Sequence, residues 1–174
     1  MISKASVKRI ASNGEYKVNS NAINYIVELA ETQIKDIGER GVNATKHRKA
    51  SVMKFKDVDF VTTVAIPSSS KRNDKELSII SSVEFNTKLE GGNVVPVLLD
   101  STQISKNSLG KEIKTLTDFK IGNDAKIALA QVAEHYISEV FKKSDLLRQA
   151  ASRTFIKEID INAALGIEIV SVAE

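Results

Sequence analysis

Residues 17–58 read KVNSNAINYIVELAETQIKDIGERGVNATKHRKASVMKFKDV, and their pattern returns at residues 120–161 as KIGNDAKIALAQVAEHYISEVFKKSDLLRQAASRTFIKEIDI. The two copies align without a gap at a constant offset of 103 residues, which places Lys17 opposite Lys120. Identical residues include the pairs Glu31/Glu134 and Asp57/Asp160. A repeat of this length indicates two copies of one structural unit that can pack on each other.

Each copy contains a long amphipathic helix pattern. In the first copy the apolar residues follow steps of three and four, at Ile23, Ile26, Ala30, Ile34 and Ile37. In the second copy the corresponding stripe is formed by Ala125, Leu129, Ala133, Ile137 and Val140. This spacing puts each set on one face of a helix, and it predicts helices over residues 21–48 and 124–151. Short polar side chains can cap their starts; the candidates are Ser20 or Asn21, and Asn123 or Asp124.

Short amphipathic segments flank each long helix, at residues 5–12 and 56–64 in the first copy and at 108–116 and 157–165 in the second. The predicted unit is therefore a short helix, a loop, a long helix, a loop and a short helix. A long helix cannot bury an apolar face alone, so we expect an all-α fold in which the two units can pack on each other.

The copies are joined by a linker over residues 66–105, which leaves units at 1–65 and 106–174. The linker opens with the polar run PSSSKRND, which is typical of an exposed loop. The segments LSIISSVEF (77–85) and NVVPVLLD (93–100) are rich in β-branched residues and are separated by KLEGG. They are predicted either to form a small hairpin or to lie extended over the surface.

Composition excludes several classes of protein. The chain has no cysteine, which rules out disulfides and cysteine-based zinc sites, and 42% of its residues are apolar. No apolar run reaches the roughly 20 residues of a membrane span, and MISKASVKRI lacks the apolar core of a signal peptide. We therefore expect a soluble intracellular protein. With no phosphate-binding loop, cysteine nucleophile or paired-histidine motif, we expect no enzyme activity, cofactor or metal.

The net charge of +3 is unevenly distributed. Residues 1–69 carry 11 Lys or Arg against 7 Asp or Glu, whereas residues 106–174 carry 10 of each. This balance permits a polyanionic partner without requiring one.

The short–long–short pattern resembles the histone fold. Residues 107–136, NSLGKEIKTLTDFKIGNDAKIALAQVAEHY, are similar to the first helix, first loop and long helix of archaeal histones. SVKRIASNGEYKV (6–18) resembles the fourth core histone of nucleosomes, and AEHYISEVFKKSDLLRQAASRTFIKEIDINAAL (133–165) resembles the third. A fourth–third fusion is similar to the histone doublets of giant DNA viruses of the Marseillevirus type. The resemblance covers residues 4–64 and 106–166.

The resemblance implies two histone folds paired head to tail within one chain. The implied function is sequence-nonspecific DNA packaging, in which the doublet assembles with a second copy and with a second type of doublet into nucleosome-like particles. The implied partners are double-stranded DNA and histone doublets, with no membrane. The implied location is virion chromatin and a host nucleus or viral factory, or otherwise a nucleus or nucleoid. The alternatives are a histone-fold interaction module of a transcription complex, and an enzyme or regulator with a site in 66–105.

The resemblance also assigns residues. The implied DNA contacts are Lys8, Arg9, Lys17, Arg48, Lys49, Ser51, Lys54, Lys111, Lys114, Lys120, Arg153, Thr154 and Lys157. The implied contact between two doublets is Asp145, Leu146, Leu147, Arg148 and Ala150. Arg153 and Asp160 have the spacing of an ion pair that locks the second loop of a histone. Ala50 stands at the equivalent of Arg153, so we expect this pair to be missing in the first copy, with Arg48 and Lys49 supplying charge nearby.

Overall fold

The structure is a computed structural model that describes residues 2–63 and 74–167. The first unit contains α1 (Lys4–Asn13), α2 (Ser20–His47), β1 (Val52–Met53) and α3 (Phe55–Thr63). The linker contains α4 (Asp74–Ser81), β2 (Thr87–Glu90) and β3 (Asn93–Pro96). The second unit contains α5 (Lys106–Lys114), β4 (Lys120–Ile121), α6 (Asn123–Ala150) and α7 (Glu158–Leu165). The six predicted helices of the two copies are confirmed, each to within two residues at either end.

The predicted caps of the long helices are wrong by a small margin. Asn19, one residue before the predicted positions, caps α2, because its side-chain oxygen accepts the Ala22 N–H at 2.8 Å. Helix α6 follows Gly122, which offers no side-chain cap. The Asp124 carboxylate instead accepts the Phe55 N–H at 2.8 Å, so it caps the start of α3 in the other unit.

The core lies between the two long helices. The predicted apolar stripes of α2 and α6 are both buried, with every member at most 3% exposed. Helix α2 contacts α6 directly. Each long helix also contacts the short helices of the other unit: α6 contacts α1 and α3, and α2 contacts α5 and α7. Apolar side chains from both units therefore share one core, whose burial favours the folded chain by about 25 cal/mol per Å².

Over its described residues, 74–105, the linker is folded rather than extended, and the hairpin expected between LSIISSVEF and NVVPVLLD is wrong. The predicted PSSSKRND loop lies, apart from Asp74, outside the described residues. Residues 77–81 belong to α4, which packs against α3 and α6. The hairpin forms one segment later, where β2 pairs with β3 in an antiparallel register that joins Leu89 to Val94. Gly91 and Gly92 make its two-residue turn with φ of +57° and +81°, values that glycine adopts without strain.

Candidate nucleic-acid interface

Two short parallel pairings join the loops of the two units. Val52 and Met53 of β1 pair with Lys120 and Ile121 of β4, and Val18 bridges to Ile156. The first loop of each unit thus lies beside the second loop of the other unit. The two junctions match, because Gly122 N–H donates to the Met53 carbonyl at 2.8 Å and Asn19 N–H donates to the Ile156 carbonyl at 3.2 Å.

Each junction places a first loop of one unit beside a second loop of the other, and most of the predicted loop cations lie on these four loops. One junction combines Lys17 with the segment that carries Arg153, Thr154 and Lys157. The other combines Lys120 with the segment that carries Lys49, Ser51 and Lys54. The side chains of all of these except Arg153 are exposed. Each junction therefore carries exposed lysines from two loops, and exposed ammonium groups attract phosphate.

The second loops of both units turn at equivalent residues. Lys49 and Ser152, which are 103 residues apart, both have positive φ, at 57° and 54°. A left-handed residue just after a helix lets the next N–H groups satisfy the last carbonyls of that helix. Here Ala50 N–H donates to the Thr45 carbonyl and Arg153 N–H to the Arg148 carbonyl, each at 3.1 Å.

An arginine–aspartate ion pair closes the second loop in each unit. Arg153 pairs with Asp160 as the sequence predicts. The expectation that the first unit lacks such a pair is wrong: Arg48 donates to both carboxylate oxygens of Asp57, at 3.1 and 2.8 Å. Arg48 also donates to the Val52 carbonyl at 3.1 Å, so its guanidinium ties the end of α2 to β1 and α3. Both arginines are therefore held in structural contacts.

The Asp57 carboxylate is 4% exposed. Burial raises its pKa, but hydrogen bonds from Arg48, from the Lys54 N–H and from Thr45 outweigh this and leave the pKa below the ordinary 3.8. The same pair raises the pKa of Arg48. Asp57 is thus a buried anion that depends on its donors.

The starts of α1 and α5 open onto one groove. It is lined by Ser3, Ser6 and Arg9 from the α1 side and by Ser105 and Lys106 from the α5 side. Both helices begin with a serine cap, since Ser3 accepts the Ser6 N–H at 3.1 Å and Ser105 accepts the Ser108 N–H at 3.3 Å. Two helix N-termini at one groove produce a region of partial positive charge. The linker contributes residues 98–100 and 102–104 to this groove, including Asp100, which the sequence did not indicate.

The predicted cations on the short first helices have different surroundings. Lys8 and Arg9 are exposed on α1, and Arg9 donates to the Ser6 hydroxyl at 3.4 Å. Lys114 donates to the carbonyls of Asp118 and Phe119, at 3.0 and 2.8 Å, and so fastens the loop that follows α5. Lys111, on the same helix α5, is exposed. Two further lysines of this surface, Lys106 and Lys126, were not predicted from the sequence.

The glutamate that is identical in both copies also fixes the segment that leads into the first short helix of each unit, α1 or α5. Glu31 accepts the Ile2 N–H at 3.1 Å, and Glu134 accepts the N–H groups of Gln103 and Ile104. Burial raises the pKa of Glu134, and the two N–H donors oppose this only in part. The identical glutamates of the repeat therefore hold the two short first helices against the long helices.

The predicted contact between doublets lies at the end of α6. Leu146 is 63% exposed and Leu147 is 37% exposed. Arg148 donates to Asp145 at 2.7 Å and to the Arg153 carbonyl at 2.8 Å, so these two charges are already paired within the chain. A groove beside the leucines is also lined by Lys75 and Ser78 of α4 and by Ala163 and Ala164 of α7.

Within residues 2–63 and 74–167, no group of histidine, aspartate or glutamate side chains is arranged to hold a metal ion. Over the same residues, no helix combines the length and apolar character needed to cross a membrane.

A scan against models of protein families found no match, and a search of curated proteins found none. Among solved structures, the histone from Methanopyrus kandleri is similar to this chain, with a TM-score of 0.62 and 12% sequence identity. The similarity covers 94% of this chain and 93% of that one. It extends over both units and the linker, and at this identity it is evidence of fold alone. The chain has a histone fold.

Proposed function

We propose that this chain is a sequence-nonspecific DNA-packaging protein, a histone doublet whose two units form one internal head-to-tail pair. The observation that carries the proposal is the double junction of loops, in which Lys17 lies beside the 151–157 loop and Lys120 beside the 48–54 loop. With the groove at the starts of α1 and α5, these junctions supply three regions for phosphate.

The binding mode follows from the side chains available. The exposed groups at the junctions are mainly lysines and hydroxyls, which suit phosphate oxygens and carry no preference for base sequence. Duplex DNA held at three regions of one protein is retained by backbone contacts and by bending. Lysine supplies the charge but lacks the planar guanidinium of arginine, so each single contact contributes modestly and the sum determines affinity.

The exposed leucines at the end of α6 support assembly with a second copy. Leu146 and Leu147 form an apolar patch near Ala163 of α7, and a second molecule that covers them would remove this surface from water. Assembly with a second type of doublet would extend the particle, by analogy with the fourth and third core histones. Such a particle belongs in viral chromatin, in a nucleus or in a nucleoid.

The direct test is duplex binding by the purified chain across a range of salt. Fluorescence anisotropy with two duplexes of unrelated sequence is expected to give equal affinities that fall by about a thousandfold between 50 and 200 mM salt. The double substitution Lys17→Met and Lys120→Met removes one ammonium from each junction and is expected to reduce the salt dependence by about two phosphate contacts. The pair Lys88→Met and Lys142→Met removes the same charge from exposed positions outside the junctions and serves as the control. A salt-independent affinity, or a strong preference between the two sequences, would refute the proposal.

A second candidate is an interaction module of a transcription complex. It is favoured by the exposed apolar side chains Phe60, Phe155 and Ile159, each about half exposed, and by the balanced charge of residues 106–174. Nuclease protection separates the two functions. A packaging particle protects on the order of 120–150 bp of DNA, whereas a transcription module gives no protected length.

A further inference from the structure

A pocket of about 570 Å³ lies where α5, the loop after it and the start of α6 meet. Four of its lining residues are lysines, Lys111, Lys114, Lys120 and Lys126, and none is acidic. Asn107 adds an amide from the first turn of α5. Four lysines that line one pocket concentrate positive charge there, and a bound anion offsets their mutual repulsion.

Gly110 lies directly against the side chain of Lys126. A Cβ atom at Gly110 would lie 2.7 Å from Cε and 3.0 Å from Cδ of Lys126. The Lys126 stem therefore crosses α5 over the glycine, through space that any larger residue would occupy. This crossing carries its ammonium group from α6 to the side of the pocket formed by α5.

The first unit has no counterpart of this arrangement. At the positions 103 residues earlier stand Val7 in place of Gly110 and Ile23 in place of Lys126. Both are buried, at 0% and 3% exposed. Two buried apolar residues of the first unit thus correspond to a glycine and a lysine in the second. The second unit therefore lacks the core packing of Val7 and Ile23 and has the positive charge of Lys126 instead.

The lysines of the pocket are available to a ligand to different degrees. Lys114 already donates to two loop carbonyls. Within the described part of the chain, Lys111, Lys120 and Lys126 form no ion pair, and the nearby Glu112 is paired with Lys35 at 3.2 Å, in the other unit. These three lysines without an ion pair therefore indicate that the pocket binds an anion from outside the protein.

We propose that this pocket binds one phosphate group of the duplex backbone, and that Lys126 is a DNA contact found only in the second unit. The inference rests on the proposed function, because the ligand is taken to be duplex DNA. A phosphate fits the site chemically: it offers several oxygens to ammonium donors arranged around it. The two junctions are consequently unequal, and the one that contains Lys120 holds DNA more tightly.

Lys126→Met tests the pocket, because methionine keeps most of the aliphatic stem over Gly110 and removes the charge. Lys142→Met, on an exposed turn of the same helix, is the matched control. The slope of log affinity against log salt is expected to become shallower by about 0.9 in Lys126→Met, because one phosphate contact is lost. In Lys142→Met, which removes the same charge away from the pocket, the slope is expected to stay near that of the wild type. Gly110→Ala, which displaces the Lys126 stem, is expected to repeat the effect in a chain that still melts cooperatively.

Equal slopes for Lys126→Met and Lys142→Met would overturn the pocket while leaving DNA packaging intact. Wild-type protein that does not bind duplex would overturn both. Inorganic tripolyphosphate, followed through the amide resonances of residues 110 and 126, distinguishes the source of the phosphate. Binding of tripolyphosphate that depends on Lys126, without a matching effect on duplex, would contradict the assignment to DNA.

Discussion

Arg48 and Arg153 reach equivalent aspartates from positions that are not equivalent. Arg48 pairs with Asp57, nine residues later, and Arg153 pairs with Asp160, seven residues later. At the offset of 103 residues, the counterpart of Arg48 is Ala151 and the counterpart of Arg153 is Ala50. The two units have exchanged arginine and alanine between two sites, and the ion pair is kept in both.

Arg48→Ala is expected to lower the free energy of unfolding by about 2–3 kcal/mol. The substitution leaves the buried Asp57 carboxylate without its cation, and breaking a buried pair typically removes about 3–5 kcal/mol. The partly exposed guanidinium of Arg48, whose side chain is 29% exposed, places the loss below that range. Urea unfolding of the wild type and the variant measures the difference.

A second substitution in the same chain supplies the control. Adding Ala50→Arg to Arg48→Ala recreates the seven-residue spacing that Arg153 uses with Asp160. Most of the lost stability is expected to return. If the double variant is no more stable than Arg48→Ala alone, the two positions are not interchangeable routes to the aspartate.

The depressed pKa of Asp57 predicts a specific dependence of stability on pH. A carboxyl whose pKa is lower in the folded chain contributes stability above its ordinary pKa of 3.8, and this contribution is lost as the pH falls through the folded pKa. The difference in unfolding free energy between wild type and Asp57→Asn is therefore expected to be constant near neutral pH and to shrink below about pH 4. A difference that stays constant down to about pH 2 would show that the charge of Asp57 is not involved.

Gly38 lies where α2 meets the other unit. A Cβ there would be 2.2 Å from Cδ1 of Ile113, which is fully buried in α5. Gly38→Ala is expected to destabilise the chain by up to about 2 kcal/mol, since overpacking a core costs about 1–3 kcal/mol and the gain in helix propensity recovers about 1 kcal/mol.

Two comparisons isolate that contact. Adding Ile113→Val removes the Cδ1 atom, so the double variant is expected to be more stable than the sum of the two single changes predicts. Gly41→Ala places its Cβ 3.1 Å from the flexible end of Met53 and is expected to be neutral or slightly stabilising. If thermal unfolding shows that the stability changes of Gly38→Ala and Ile113→Val simply add, Ile113 does not limit the size of the side chain at residue 38.

The helices of the repeat were predictable because their signal is local and occurs twice. The stripe from Ile23 to Ile37 follows helical periodicity by itself, and its counterpart in the second copy repeats it. The pairing of loops followed only from resemblance to a known fold. The cap at Asn19 was missed by one residue because three consecutive polar residues can each act as a cap.

The features that the sequence did not reveal depend on contacts between distant segments. Residues 77–81 are rich in β-branched side chains, which favour strands, yet they form a helix because Ile79 and Ile80 are buried where α4 packs on α6. The Arg48–Asp57 pair was not predicted because the position equivalent to Arg153 holds Ala50. A comparison of aligned positions does not show that a long side chain two residues earlier can reach the same aspartate. Lys126 was missed because its counterpart, Ile23, belongs to the core.

The linker is attached to α6 through Gln131, which leads to a final prediction. The Gln131 amide accepts the Asn86 N–H at 2.7 Å and donates to the carbonyls of Asn86 and Val97, at 3.2 and 3.0 Å. These bonds hold both ends of the β2–β3 hairpin, whose strands are otherwise mostly exposed. Gln131→Leu keeps the approximate size of the side chain and removes all three bonds.

Amide hydrogen exchange at Asn86 is expected to accelerate by about tenfold or more in Gln131→Leu, because the substitution removes three hydrogen bonds of about 1 kcal/mol each and so permits local opening. The Ile104 N–H, which Glu134 accepts at 2.9 Å one turn further along α6, is expected to keep its protection. Gln149→Leu makes the same change at an exposed position near the end of α6 and is expected to leave Asn86 unaffected. Unchanged exchange at Asn86 in Gln131→Leu would mean that packing of α4 alone holds the linker, whereas loss of protection at both Asn86 and Ile104 would mean that the whole linker opens as one unit.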